Sequence, residues 1–259
     1  MQTKIPVLFL LLLSSAFVRG QDFSLYQRKL FIQGNDTLPY RLLLPANYNA
    51  SKKYPLIVFL HGSGEKGRDN EKQLLHGGDL FLRADIRSSF PAIVVFPQCP
   101  EGSRWANYQL VDSGGKRAFV LQASLPATKP MLLLAALIRQ MKEDFRLQEK
   151  RLYVGGLSMG GMGTFELVRR NPKLFAAAFP ICGAADTSTA KSMRKLSWWI
   201  FHGAKDDVVP PASSIAMAAA LKQEGADVRL TIYPEANHNS WDAAFAEKDL
   251  MPWLFSKHK

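Results

Sequence analysis

The sequence predicts an α/β fold, with a mostly parallel central sheet and helices on both faces. Three observations carry that expectation. From residue 56 onward, short apolar runs alternate with longer amphipathic ones, the order of strand and helix in a parallel sheet. Leu56 to Leu60 is apolar without alternation, as a central strand buried on both faces must be. Finally, Gly156-Leu157-Ser158-Met159-Gly160 lies between a strand-like run, Leu152-Tyr153-Val154, and a helix-like run from Gly163 to Val168. A Gly-x-Ser-x-Gly in that setting is the pattern of a sharp strand-to-helix turn that presents a serine at its tip.

Taken in order, Phe23 to Phe31 reads as a strand, Gly34-Asn35-Asp36 as a turn, and Tyr40 to Leu44 as a second strand stopped by Pro45. The apolar strand Leu56 to Leu60 ends in His61-Gly62-Ser63-Gly64, followed by a polar, glycine-bearing loop. Leu80 to Ile86 is a candidate helix, and Ala92 to Phe96 a strand ended by Pro97 and Pro100. Residues 99–130 lack a clear period and contain Trp105, Tyr108, Gly114-Gly115, Pro126 and Pro130. So long an aperiodic stretch is usually functional or mobile. Met131 to Phe145 has a wide apolar helical face. Leu152 to Gly156 is the strand before the turn, and Ser158 to Arg170 the helix after it, stopped by Asn171-Pro172. Phe175 to Ile181 and Trp198 to Phe201 are strands, the latter ending in His202-Gly203, with a polar stretch and a short helix between them. Pro210-Pro211 opens a helix running to Gly225. Val228 to Tyr233 alternates as a last strand, Asn237-His238-Asn239 is a loop, and Trp241 to Phe255 closes the chain as a helix with an expected break at Pro252.

Residues 1–20 read as a secretory signal peptide: Lys4, then the apolar run Val7 to Leu13, then Val18-Arg19-Gly20 with a small residue at the cleavage position. That places the mature chain, 21–259, in a secreted or periplasmic setting as a single catalytic domain. An uncleaved anchor is the competing reading, although the apolar run is short for a span. The formal net charge is +11, and losing Lys4 and Arg19 lowers it to +9. The basic residues are scattered, with no basic helix and no arginine–aromatic interleaving, which argues against nucleic-acid binding. Two cysteines, Cys99 and Cys182, are too few for a disulfide framework, although one bridge between them is chemically permissible after export. Neither has metal-ligand spacing.

In a parallel sheet, chemistry sits beyond the carboxyl ends of the strands. Ser63, Cys99, Ser158, Asp206 and His238 all fall at such ends. A serine hydroxyl is a poor nucleophile without a base, and the base should be a histidine oriented by a carboxylate. His238 is the best-placed base, in a loop after the last strand. Asp206 and Asp207 are adjacent candidates for the acid, of which only one can face the imidazole, with Asp186 a weaker third. Asp206 lies four residues beyond His202, whereas Asp207 is nearer the start of the next helix. The backbone N–H of Met159, at a helix N-terminus, is suited to stabilise an oxyanion. No metal or cofactor motif is present and none is required by this chemistry.

Phe59-Leu60-His61-Gly62-Ser63-Gly64, Gly155-Gly156-Leu157-Ser158-Met159-Gly160-Gly161, His202-Gly203-x-x-Asp206-x-x-Val209-Pro210 and Asn237-His238 together resemble the α/β-hydrolase superfamily, in its order of motifs. They are most similar to its small exported esterases: feruloyl and acetylxylan esterases, polyhydroxybutyrate depolymerases and dienelactone hydrolases. The resemblance implies a serine carboxylesterase with catalytic Ser158, Asp206 and His238, and an oxyanion hole from the N–H groups of Ser63 and Met159. Dienelactone hydrolases use a cysteine where this chain has Ser158, so their activity is not carried over. The expected substrate is a small-molecule or polysaccharide-linked ester. Trp105, in the aperiodic segment, is expected to wall an acyl or alcohol pocket, since a flat apolar ring suits a sugar or phenolic group; packing its own loop down is the competing role. Two rivals to the esterase reading are a serine peptidase of the prolyl-oligopeptidase type and a non-catalytic binding module. The short stretch before the turn argues against the first, and the full triad against the second.

Overall fold

The computed structural model describes residues 22–113 and 116–259. The expected signal peptide lies outside the described residues. The chain opens with an antiparallel hairpin, β1 (Gln27–Gln33) and β2 (Asp36–Leu43), turned at Gly34 with φ +59°. β1 is an edge strand. Only Phe31 of its seven residues is buried, and Arg28 and Lys29 keep its open side polar. β3 (Tyr54–Leu60) and β4 (Ile93–Pro97) are buried along their whole length and pair in parallel, with α1 (Ala84–Ser89) between them. β5 (Tyr108–Ser113) and β6 (Lys116–Leu121) form a separate hairpin outside the main sheet.

α2 (Lys129–Asp144) is capped by Thr128, whose side chain accepts from the N–H of Met131. It leads to β7 (Leu147–Leu157), which is followed by α3 (Met159–Arg170) and β8 (Ala177–Ile181). α4 (Ala190–Met193), β9 (Ser197–Gly203), α5 (Ala212–Gln223) and β10 (Val228–Tyr233) continue the alternation. α6 (Trp241–Ala246) and α7 (Leu250–Ser256) close the chain. The eight-stranded sheet runs β1-β2-β4-β3-β7-β8-β9-β10 and is parallel from β4 to β10.

The strand residues divide by parity, as a two-sided sheet requires. Leu56, Val58, Leu60, Val154, Trp198 and Ile200 face one layer with Leu137 of α2, Phe165 of α3 and Leu221 of α5. Ile57, Phe59, Tyr153, Phe179, Trp199 and Phe201 face the other, with Ala244 of α6 and Leu254 of α7. Aromatic stacking locks both layers: Phe165 on Trp198 at 5.1 Å and Trp199 on Phe201 at 4.9 Å.

The topology sets the site. From β3 the chain steps outward to β4 and then returns to β7 on the other side of β3. The carboxyl ends of β3 and β7 therefore flank the point where strand order reverses, where open α/β sheets bind ligands. Two expectations need correction. The aperiodic segment 99–130 contains the β5–β6 hairpin, whose Tyr108, Phe119 and Leu121 pack on Met162 and Val209 while Leu110, Val111 and Val120 stay exposed. The terminal helix breaks between Ala246 and Leu250, not at Pro252. Pro252 falls in the first turn of α7, where its missing N–H has no helical acceptor to lose.

Candidate active site

Ser158 is the single residue between β7 and α3, with φ +53° and ψ −117°. A non-glycine residue in that region carries strain of about 1–3 kcal/mol, which the surroundings must hold. They do so with backbone hydrogen bonds on both sides: Ser158 N–H donates to Ile181 O at 2.9 Å and Met162 N–H to Ser158 O at 3.0 Å. Gly160 is required by space. A Cβ there would lie 1.9 Å from the carbonyl oxygen of Leu60. The closeness that excludes a side chain also seats the turn directly on the end of β3.

His238 follows β10 and reaches back over this turn. Its Nε2 lies 2.9 Å from Ser158 Oγ, and its Nδ1 lies 2.8 Å from Asp206 Oδ2. A carboxylate only accepts, so Nδ1 carries the proton and Nε2 offers its lone pair to the serine hydroxyl. Asp206 stands just beyond β9 with its side chain fully buried. Its Oδ1 accepts the N–H groups of Val208 and Val209 at 2.9 and 2.8 Å. Burial alone would raise the pKa of this carboxyl. The hydrogen bonds from His202, His238 and Val209 outweigh it and hold the group well below the usual carboxylate range, so it is ionised.

Asp207 is exposed, and only its backbone N–H is engaged at the site, with Asn237 Oδ1 at 3.2 Å. Asn237 Oδ1 also accepts the N–H of His238 at 2.6 Å, which ties the loop after β9 to the loop after β10. The loops are in close contact at Gly203, where a Cβ would lie 2.3 Å from Asn237 O. Asp186 instead caps the turn after β8, accepting from Ser188.

Ser63 begins a short 3₁₀ turn, Ser63–Glu65, and Met159 begins α3. The first N–H groups of such turns have no acceptor within them and point outward with the positive end of the local dipole. A Cβ built on Gly62 would come within 3.6 Å of Ser158 Cβ, so the two turns are neighbours.

Trp105 is not where its wall role requires it. It is fully buried, its indole N–H donates to His61 O at 3.3 Å, and its ring meets the His61 ring edge-on at 5.5 Å. It packs against His61, behind the loop that follows β3, and offers no surface to a substrate. His202, which enters the sequence reading only as a strand end and by its spacing to Asp206, is in contact with that carboxylate. Its Nε2 is 3.1 Å from Asp206 Oδ2 and 2.9 Å from Val209 O, and its Nδ1 is 2.7 Å from Ser214 Oγ. The four-residue spacing from His202 to Asp206 was the available signal. The cysteines are both buried and free. Donor atoms of Cys182, Asp206 and His238 come within 4.8 Å of one another. His238 and Asp206 already bond each other, and burial keeps the Cys182 thiol protonated, so this cluster fits a hydrogen-bonded triad better than a metal ligand set.

With its helices and sheet so arranged, the chain can be set beside known proteins. It is 32% identical over 162 residues to a bifunctional acetylxylan esterase/xylanase of Neocallimastix patriciarum, covering 62% of this chain and 20% of that protein. It is 24% identical over 181 residues to an Aspergillus oryzae protein named "Probable feruloyl esterase C", covering 69% of this chain and 58% of that one. This chain thus spans from a fifth to somewhat over half the length of these two relatives. A solved structure described as a thermostable esterase superposes with a TM-score of 0.81 at 32% identity, over 91% of this chain and 64% of that one. The family described as Phospholipase/Carboxylesterase matches residues 47–248, most of the chain. This protein is therefore an α/β-hydrolase of the Phospholipase/Carboxylesterase family.

Proposed function

We propose that the protein is a serine carboxylesterase that acts through an acyl-enzyme on acyl groups attached to small alcohols or polysaccharides. The observation that carries this reading is the row Ser158 Oγ, His238 Nε2, His238 Nδ1 and Asp206 Oδ2, joined at 2.9 and 2.8 Å on a strained turn. Ser158 Oγ attacks the ester carbonyl as its proton passes to His238 Nε2. The resulting imidazolium is stabilised by ionised Asp206, which stays unprotonated. The N–H groups of Ser63 and Met159 hold the oxyanion; losing one such donor costs about 3–4 kcal/mol of barrier. His238 then returns the proton to the leaving alkoxide. A water repeats the attack on the acyl-Ser158 ester, again deprotonated by His238, and frees the acid.

The names of the relatives, an acetylxylan esterase/xylanase and a probable feruloyl esterase, support an ester over a peptide substrate and an acylated polysaccharide as its source. Residues 1–20, read as an export signal, suit an enzyme that meets such polymers outside the cytoplasm. Among the described residues no helix is long and apolar enough to cross a membrane. The test is a hydrolysis panel of aryl acetates, longer acyl esters, feruloylated sugars and proline-containing peptides. Ester cleavage with negligible peptide cleavage is expected. Peptide cleavage at rates rivalling the esters would overturn the reading in favour of a peptidase.

A further inference from the structure

We propose that Trp241 and His76, with Glu65 behind His76, form the subsite for the leaving alcohol, and that this subsite takes a hydroxyl-bearing sugar ring. The proposal rests on the esterase reading and names the half of the substrate that reading leaves open. The leaving oxygen must receive its proton from His238 Nε2, so the alcohol must lie against the His238 ring. Trp241, the first residue of α6, is what the structure sets there. The two rings meet edge-on at 5.5 Å, with an interplanar angle of 86°. On Trp241 rests His76, at 5.1 Å and tilted by 44°. Trp241 is half-buried, and the His76 side chain is 33% exposed. The pair is a half-open aromatic shelf continuing from the base.

Glu65 gives the shelf its polarity. Its side chain is only 9% exposed, and its Oε1 lies 3.6 Å from His76 Nε2. A carboxyl acceptor on that side favours the proton on Nε2, which leaves the His76 Nδ1 lone pair to accept from a ligand hydroxyl. An apolar aromatic face beside one acceptor suits a sugar, with a C–H face and ring hydroxyls, better than an alkyl chain. The other oxygen, Oε2, is buried with no hydrogen bond among the described residues, and His61 Nδ1 lies 4.0 Å from it. A methyl built on Gly62 would lie 3.0 Å from Oε2 and 3.6 Å from Ser158 Cβ, so the Glu65 carboxyl lies beside the turn that faces Ser158. Burial raises the Glu65 pKa and His76 lowers it, in that order of size, so the two groups are electrostatically linked.

Two acetates with different alcohols isolate this half of the site: acetylated methyl β-xyloside and p-nitrophenyl acetate. The readout is the ratio of their kcat/KM values. His76→Phe keeps a ring on Trp241 but removes the acceptor, and should lower the sugar-to-aryl ratio about tenfold, chiefly through KM for the sugar ester. Glu65→Leu should lower it similarly, whereas Glu65→Gln, which still offers an oxygen to His76, should restore most of it. Trp241→Ala should raise KM for the sugar ester further. Melting temperatures within a few degrees of the parent would show that the fold persists in each variant. A ratio unmoved in His76→Phe, or equal effects of Glu65→Leu and Glu65→Gln, would overturn the subsite. A parent protein that hydrolyses neither acetate, or cleaves proline-containing peptides at rates rivalling the esters, would instead overturn the esterase reading itself, so the two failures are distinguishable.

Discussion

Two parallel strands of this sheet lead into the same dipeptide, His61-Gly62 directly after β3 and His202-Gly203 as the last two residues of β9. Both imidazoles are fully buried and both are held by hydrogen bonds, yet they hold different things. The ring hydrogen bonds of His61 go to backbone, with Glu65 Oε2 4.0 Å from its Nδ1. Its Nδ1–H donates to Gly62 O at 2.6 Å and its Nε2 accepts the N–H of Cys99 at 2.9 Å, which ties the loop after β3 to the segment after β4. His202 faces the buried carboxylate of Asp206. Burial lowers the pKa of His61 to about 4, so it stays neutral and rigid in its role. His202 Nε2 lies 3.1 Å from Asp206 Oδ2, the same oxygen that His238 Nδ1 bonds at 2.8 Å, so two imidazoles converge on that carboxylate. Identical local sequence thus braces a loop at one strand end and orients the acid at the other. The difference comes from what each loop contacts.

The sharpest way to break this contrast is at the carboxylate. Asp206→Asn should lower kcat by about three to four orders of magnitude, because the amide no longer fixes the His238 tautomer. Kinetics on an aryl acetate would show it. The next effect is at His202. His202→Phe removes a hydrogen bond to a charged group, worth about 1.5–3 kcal/mol, so kcat should fall roughly 10- to 100-fold with KM little changed. An equal loss for His61→Gln, which can still donate and accept, would erase the distinction between the two strand ends.

For His61 the expected signature is in stability. Its folded pKa, about 4, lies below the ordinary 6.5, so between these values the unfolded chain binds the extra proton. Stability contributed by neutral His61 is therefore intact above pH 6.5 and lost as pH falls to about 4, by about 3 kcal/mol. Glu65, raised by burial, acts in the opposite sense, so the parent must be compared with His61→Gln. Urea unfolding from pH 7 to 4 should show a shallower acid loss in that variant. The smallest effect belongs to Asp207→Asn. This exposed side chain is outside the triad row, and turnover should stay within about threefold of the parent.

Much of this was legible in the sequence because it is written in spacing. The strand-turn-helix around Ser158, the two His-Gly strand ends and the loop of His238 are local patterns, and the fold brings them to one sheet edge. What sequence missed depends on contacts between distant segments. Trp105 sits in a stretch with no period, and only the packing of that stretch against His61 shows that its ring points inward. The β5–β6 hairpin was unreadable because it stands apart from the main sheet and leaves apolar side chains exposed, so no burial pattern disciplines its sequence. The link from His238 through Trp241 to His76 joins residues from opposite ends of the chain, and no local spacing announces it.

The central claim is that Ser158 is the nucleophile of this edge. The most direct measurement is labelling of the full chain with a fluorophosphonate, followed by peptide mapping by mass spectrometry. The account predicts one adduct, on Ser158, formed quickly in the parent, slowly in Asp206→Asn, and not at all in Ser158→Ala. An adduct that persists in Ser158→Ala, or maps to any other residue in the parent, would contradict it.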